Sequence, residues 1–286
     1  MKKPAYLMIP VFTLLVLAAM APRSAAQERH GTIAVVQYEA KRLIVAADSR
    51  HNLGKGVGAS QNDLACKVAA LGKYAVFVAS GLIGYDNAGP KDRMETWRAT
   101  DEARRVYARL VRERGEWQDE YLDDFARSWG EVVQSRIADL DRFQPVTVRT
   151  AAVAGLLTTA LVATGRGKNI QVILIQIGIE DGKVQMITPR RIGPEVCPPC
   201  ALGRGEIVTE FVGLTTERAR IEAERLARET SGLSDDEREV RRIIRLVDLT
   251  IRLLPDTNDV GGPIDALELR AGEPLRWIQR KSECSE

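Results

Sequence analysis

Blocks of apolar, partly β-branched residues alternate in this chain with long charged segments, and this order restricts the fold more than any single motif does. Short apolar blocks bounded by polar turns predict strands, whereas charged segments with apolar residues at helical spacing predict amphipathic helices. Strands are predicted at Thr32–Val36, Leu43–Ala47, Leu64–Leu71, Tyr74–Ser80, Ala151–Leu161, Ile170–Ile179, Val184–Thr188, Ile264–Leu269 and Leu275–Ile278. Helices are predicted at Met94–Arg114, Gln118–Asp141, Thr215–Thr230 and Asp235–Leu254. The order predicts one layered α+β domain with sheets inside and helices outside.

The N-terminus has the pattern of a secretory signal. Lys2 and Lys3 precede an uncharged, mostly apolar run from Tyr6 to Ala21, and small residues follow at 24–26. We expect residues 1–26 to be removed near Ala26, which predicts a secreted or periplasmic protein. An uncleaved membrane anchor is the alternative, although the run is shorter than the about 20 apolar residues that span a bilayer.

Charge and histidine content exclude several classes of function. The chain has 41 basic and 39 acidic residues, and the predicted signal contains three of the basic ones and none of the acidic ones. The mature protein is therefore nearly neutral, without the clustered basic excess of a nucleic-acid-binding protein. Only His30 and His51 are present, which argues against a histidine-rich metal site and leaves few candidates for a Ser-His-Asp triad.

Four cysteines, Cys66, Cys197, Cys200 and Cys284, stand in a chain that the signal predicts to be exported. Cys197 and Cys200 form a CxxC motif that admits a redox pair, a zinc site or a local disulfide. No thioredoxin-like unit and no second ligand pair at motif spacing accompany it, so a local or loop disulfide is favoured. Cys66 alternates with Lys67 on a predicted strand and is expected to face the core.

Six motifs carry a resemblance to a known family. "HGT", "LIVAADSR", "CKV", "SGL", "GRG" and "VGGPIDALEL" follow one another in the order seen in proteasome β subunits and their bacterial relatives, which are N-terminal-nucleophile hydrolases. The similarity runs through most of the mature chain and is closest over about its first 55 residues. The resemblance implies a four-layer αββα sandwich formed by residues 32–286 as a single domain, with residues 27–31 as a short propeptide.

The resemblance also assigns roles to individual residues. Thr32 would be the nucleophile, and its own α-amine the base, since an α-amine has a pKa near 8 and is partly uncharged at neutral pH. Asp48 would hold Lys67, whose ammonium lowers the pKa of the amine, and Gly81 would donate a backbone N–H to the oxyanion. Arg50 matches a further position near the site. Asp256 resembles a carboxylate that supports it, with one residue more than usual before the glycines.

Three positions depart from the family pattern. Residues 27–31 precede Thr32, so a second cut after Gly31 is required; Ile33 stands where a second threonine is usual; and Arg204 occupies the place of a serine between two glycines. Two hypotheses therefore remain. The chain is an exported N-terminal-threonine amidohydrolase or peptidase that acts through an acyl-enzyme, or it is a catalytically inactive proteasome-like scaffold or binding protein.

The expected partners follow from these hypotheses. The substrate would be a peptide or another amide, with no cofactor, no metal, no nucleic acid and no membrane contact after signal removal. Proteasome-like subunits assemble into rings, which implies a homo-oligomer. The first predicted helix has many arginines, and a face of this kind is usually solvated instead; they are Arg104, Arg105, Arg109, Arg112 and Arg114.

Overall fold

The computed structural model describes residues 33–53, 60–62, 65–86, 94–254, 260–282 and 284. Strands lie at Ile33–Glu39 (β1), Arg42–Ala47 (β2), His51–Leu53 (β3), Ser60–Asn62 (β4), Val68–Leu71 (β5), Ala75–Gly81 (β6), Gly84–Tyr85 (β7), Trp97–Arg98 (β8), Leu156–Thr164 (β9), Gln171–Glu180 (β10), Lys183–Ile192 (β11), Cys200–Gly203 (β12), Asp265–Arg270 (β13) and Arg276–Gln279 (β14). Helices lie at Ala99–Arg114 (α1), Leu122–Phe143 (α2), Pro145–Ala151 (α3), Glu206–Gly213 (α4), Glu217–Glu229 (α5) and Asp235–Leu253 (α6).

The strands form two five-stranded antiparallel sheets, so the protein is of the α+β class. The first sheet has the order β12-β1-β2-β13-β14, and the second has the order β11-β10-β9-β6-β5. Two short two-stranded sheets, β3-β4 and β7-β8, lie outside them. The first strand of the described chain is thus paired on both sides, by β2 on one edge and by β12 on the other.

Three apolar clusters pack against these sheets. One joins the second sheet to α1 and α2 and includes Phe77, Phe125 and Trp129. Another contains residues of both sheets, such as Val36 and Val78. The third joins the first sheet to α4 and α6. Because side chains alternate along a strand, each sheet contributes its odd and even positions to different clusters.

Local signals account for the β10–β11 turn and for the beginning of α6. Asp181 and Gly182 both have positive φ, as a tight β10–β11 hairpin requires. Helix α6 begins with a capping box in which the side chains of Ser234 and Glu237 bond to each other's backbone N–H. The predicted strands and long helices are confirmed, with shifted ends, and β8 occupies part of the helix predicted at Met94–Arg114. The elements that were not predicted are α3, α4, β3, β4, β7, β8 and β12.

Several predictions lie outside the described residues and stay predictions. They are the signal at 1–26, the propeptide at 27–31, the nucleophile Thr32 and the carboxylate Asp256. Among the helices that the structure does describe, none combines the length and the apolar character needed to cross a membrane.

Candidate active site

Asp48 follows β2 directly, and its fully buried carboxylate accepts three backbone hydrogen bonds. The amide of Ile33 donates to Oδ1 at 3.0 Å. The amides of Gly261 and Arg50 donate to Oδ2 at 3.0 and 3.2 Å. Asp48 therefore joins the beginning of β1 to the loop before β13. A residue that only formed a turn at the end of a strand would not make these two contacts.

Lys67 lies just before β5 rather than within it, and it forms a buried ion pair with Asp48. Its Nζ is 2.6 Å from Asp48 Oδ1, and both side chains have no exposed surface. Burial is the largest influence and lowers the pKa of Lys67, although the charge and hydrogen bond of Asp48 oppose it. The cations of Lys281 and Arg50 lower this pKa further. A lysine in this state stabilises negative charge nearby and also approaches the neutral form more closely than a solvated one.

Gly81 ends β6, in a conformation that only glycine adopts readily. Its φ is +94°, and a Cβ at this position would lie 2.2 Å from the carbonyl oxygen of Leu157. Two residues earlier, the amide of Ala79 donates to the carbonyl oxygen of Lys67 at 3.1 Å. Two residues of a strand span roughly 7 Å, so Gly81 is near the ion pair.

Arg50 packs against Gly261, in the loop before β13. Its amide donates to the carbonyl oxygen of Gly261 at 2.9 Å, as that of Ser49 does at 3.0 Å. A Cβ on Gly261 would lie 2.5 Å from Cζ of Arg50, so the guanidinium can lie here only because residue 261 has no side chain. This contact gives a physical role to a glycine that the sequence offered only as part of a motif.

Arg204 lies beside the beginning of β1. The preceding residue, Gly203, pairs with Ile33 across the β12–β1 ladder. The Arg204 side chain is 11% exposed, and its Nε donates to Oε1 of Glu206 at 3.1 Å. The cation expected from the sequence is therefore near the site, but a carboxylate that the sequence reasoning missed offsets part of its charge.

Another buried ion pair lies near the first, and the sequence reasoning did not predict it. Nζ of Lys281 is 2.9 Å from Oδ2 of Asp265, with side chains 5% and 1% exposed. The same ammonium donates to the carbonyl oxygen of Ala65 at 2.8 Å and to the hydroxyl of Ser49. Lys281 thus contacts the segments that carry both Asp48 and Lys67. The one available signal was Asp265 itself, since it shares a strand face with the apolar Leu267 and Leu269 and a buried carboxylate there needs a partner.

The two segments that carry the lysines are also joined covalently. Cys66 is bonded to Cys284, at a sequence separation of 218 residues. The expectation that Cys66 faces the core was wrong: the residue is only partly buried, and its sulfur is bonded to Cys284 of the C-terminal segment. The expected local disulfide, Cys197–Cys200, is confirmed. Within the described ranges no His, Cys, Asp and Glu cluster has the arrangement of a metal site.

The structure therefore brings together Asp48, Lys67, Gly81, Arg50 and Arg204 around the beginning of β1. The arrangement offers a buried carboxylate, an adjacent lysine and a glycine at a strand end. Comparison of the sequence with protein-family models and with curated proteins gave no significant match.

Proposed function

We propose that this chain is an exported N-terminal-threonine amidohydrolase that cleaves peptide or other amide bonds through an acyl-enzyme. One observation carries the proposal. Asp48 forms a fully buried pair with Lys67 and also accepts the amide of Ile33, the residue that follows Thr32 in the sequence. A charged pair of this kind is costly to bury, and a site that needs a tuned lysine is a physical reason for it.

The reaction would begin with cleavage of the Gly31–Thr32 bond, which frees the α-amine of Thr32. That amine would accept the hydroxyl proton of the same residue as the oxygen attacks the amide carbonyl of the substrate. The nearby Lys67 ammonium would hold down the pKa of the amine and stabilise negative charge on the attacking oxygen. Asp48 would keep the lysine in position.

The tetrahedral intermediate would then be stabilised at its oxyanion by the backbone N–H of Gly81. The protonated α-amine would transfer its proton to the leaving nitrogen as the C–N bond breaks, which leaves an ester on Thr32. Water, deprotonated by the same amine, would hydrolyse that ester and restore the free hydroxyl. Arg50 and Asp256 would support the loop that contacts Asp48.

The finer fold belongs to the same proposal. We propose a four-layer αββα sandwich over residues 32–286, in which α1 and α2 cover one sheet and α4 to α6 cover the other. The three apolar clusters support this, since four layers have three interfaces. Removal of residues 1–26 on export is also part of the proposal and is supported by the signal pattern of the N-terminus. Self-association of the mature protein is supported by the resemblance to proteasome β subunits.

The mature N-terminus and a pair of Thr32 variants test the function. Intact-mass measurement of the secreted protein should give Thr32 as its first residue. Thr32→Ala should abolish both the Gly31–Thr32 cut and amide hydrolysis, because one hydroxyl performs both. Thr32→Ser, which keeps a hydroxyl, should retain both at a reduced rate.

Two results would contradict the proposal. A Thr32→Ala protein that is processed and as active as the parent would show that this hydroxyl is not the nucleophile. A secreted parent with Gln27 as its only N-terminus would leave Thr32 without a free amine and would favour the scaffold hypothesis instead.

A further inference from the structure

A cavity of about 370 Å³ lies between the two sheets, next to the candidate site. Its walls come from β6, β9 and β10 on one side, and from β12 with the loop closed by the Cys197–Cys200 disulfide on the other. Gly81 and Gly203 both line it. The volume is within the range of small-molecule sites in proteins, roughly 300–1,000 Å³.

The side of the cavity formed by β6, β9 and β10 presents one row of polar side chains and one row of apolar side chains. Ser80, Thr159 and Gln176 are direct neighbours across β6, β9 and β10, and all three line the cavity. The next row contains Leu161 and Leu174, which are paired and buried. Ser80 adjoins Gly81, so the polar row is the one nearer the candidate site.

We infer that this cavity binds an aliphatic group carried by the amide substrate. The inference rests on the proposed function, because the scissile carbonyl would lie at Gly81. The polar row would then contact the amide groups adjacent to that carbonyl, and the aliphatic group would occupy the region bounded by Leu161 and Leu174. A water occupies about 30 Å³ of liquid, so the cavity holds roughly a dozen non-hydrogen atoms.

Two kinds of substrate supply this chemistry, a medium-chain N-acyl amide and a peptide with leucine-like side chains. Both place an aliphatic group a few bonds from an amide. Displacement of bound octanoate distinguishes them. N-octanoylglycine tests the acyl source, and a Leu-Leu dipeptide tests the peptide source. Displacement by either compound supports the shared chemistry, and displacement by neither overturns it.

The direct test measures binding without turnover. Titration calorimetry on the mature secreted protein should give octanoate an affinity at least about tenfold tighter than that of butyrate, because more methylene groups are buried. Leu174→Trp fills the cavity and should remove octanoate binding. Ile221→Trp adds the same side chain on an exposed part of α5 and should bind octanoate as the parent does.

A second cavity variant covers the case in which Leu174→Trp fails to fold. Val196 lines the cavity but is 40% exposed, so Val196→Trp can be accommodated at the surface while still obstructing it. Equal affinities for octanoate and butyrate in the parent, or parental octanoate binding by a folded cavity variant, would overturn the inference.

The outcome can be separated from that of the proposed function. Octanoate binding that Leu174→Trp removes, found together with a Thr32→Ala protein as active as the parent, would overturn the proposed function and leave the cavity assignment standing. Conversely, Thr32-dependent hydrolysis of a short acetyl amide, with no octanoate binding, would overturn the cavity assignment alone.

Discussion

Replacing Lys67 with methionine removes the ammonium from the buried pair while keeping much of the side-chain volume. In the parent, Nζ lies 2.6 Å from Asp48 and neither side chain is exposed. After the substitution the buried Asp48 side chain has lost its cationic partner. Its remaining donors are the three backbone amides of Ile33, Arg50 and Gly261.

The expected cost follows from these contacts. Removal of one partner of a buried ion pair typically costs about 3–5 kcal/mol of unfolding free energy. The three amide donors still stabilise the carboxylate, so we expect Lys67→Met to fall near the lower end, about 3 kcal/mol. Asp48→Asn should also destabilise the protein. Asp48→Asn combined with Lys67→Met should cost less than the sum of the two single variants by about 1–3 kcal/mol.

Urea unfolding followed by tryptophan fluorescence measures these energies, since Trp117 and Trp129 are buried in the described structure. Lys168→Met is the matched control, because Lys168 is exposed and its loss should change stability by less than about 0.5 kcal/mol. A Lys67→Met protein as stable as the control variant, or strictly additive single effects, would refute the reasoning.

Three further outcomes are expected. Joint replacement of Cys66 and Cys284 with serine removes a disulfide that links residues 218 positions apart. The loop-entropy model predicts a loss of about 5 kcal/mol of unfolding free energy, which would appear as a lower urea midpoint. An unchanged midpoint would contradict this. Gly81→Ala should lower the free energy of unfolding by about 3 kcal/mol, because its Cβ would meet the carbonyl oxygen of Leu157. Gly115 has a similar φ of +88° but no atom within 4 Å of the new Cβ, so Gly115→Ala should lower the same energy by about 1 kcal/mol. Equal losses in the urea titration would argue against the clash at Gly81. The pKa of Lys67 is lowered from 10.5, so the unfolded chain binds this proton more tightly than the folded protein. The unfolding free energy of the parent, relative to that of Lys67→Met, should therefore increase with pH between the pKa of Lys67 in the folded protein and 10.5. A relative unfolding free energy that decreases over this pH range would contradict the prediction.

The local elements were accessible from the sequence because each depends on residues close together in the chain. The β1–β2 and β10–β11 hairpins follow from apolar blocks around polar turns, and α6 follows from its periodicity and its Ser234 cap. The short α4 and β12 were missed, since a few residues of either kind give too little periodicity to identify. Asp48, Lys67 and Gly81 were predicted as site residues because the motifs that contain them occur in a particular order, and that assignment stays a prediction.

Tertiary structure decided which of these elements became neighbours. The pairing of β1 with β12 joins segments about 170 residues apart, and the Lys281–Asp265 pair gains its role only because the C-terminal segment returns to Ser49 and Ala65. The sequence showed four cysteines but left the pairing of Cys66 with Cys284 open. Helical and strand periodicities report only which face of a segment is apolar, whereas the partner of a buried charge or thiol is selected by packing of the whole chain.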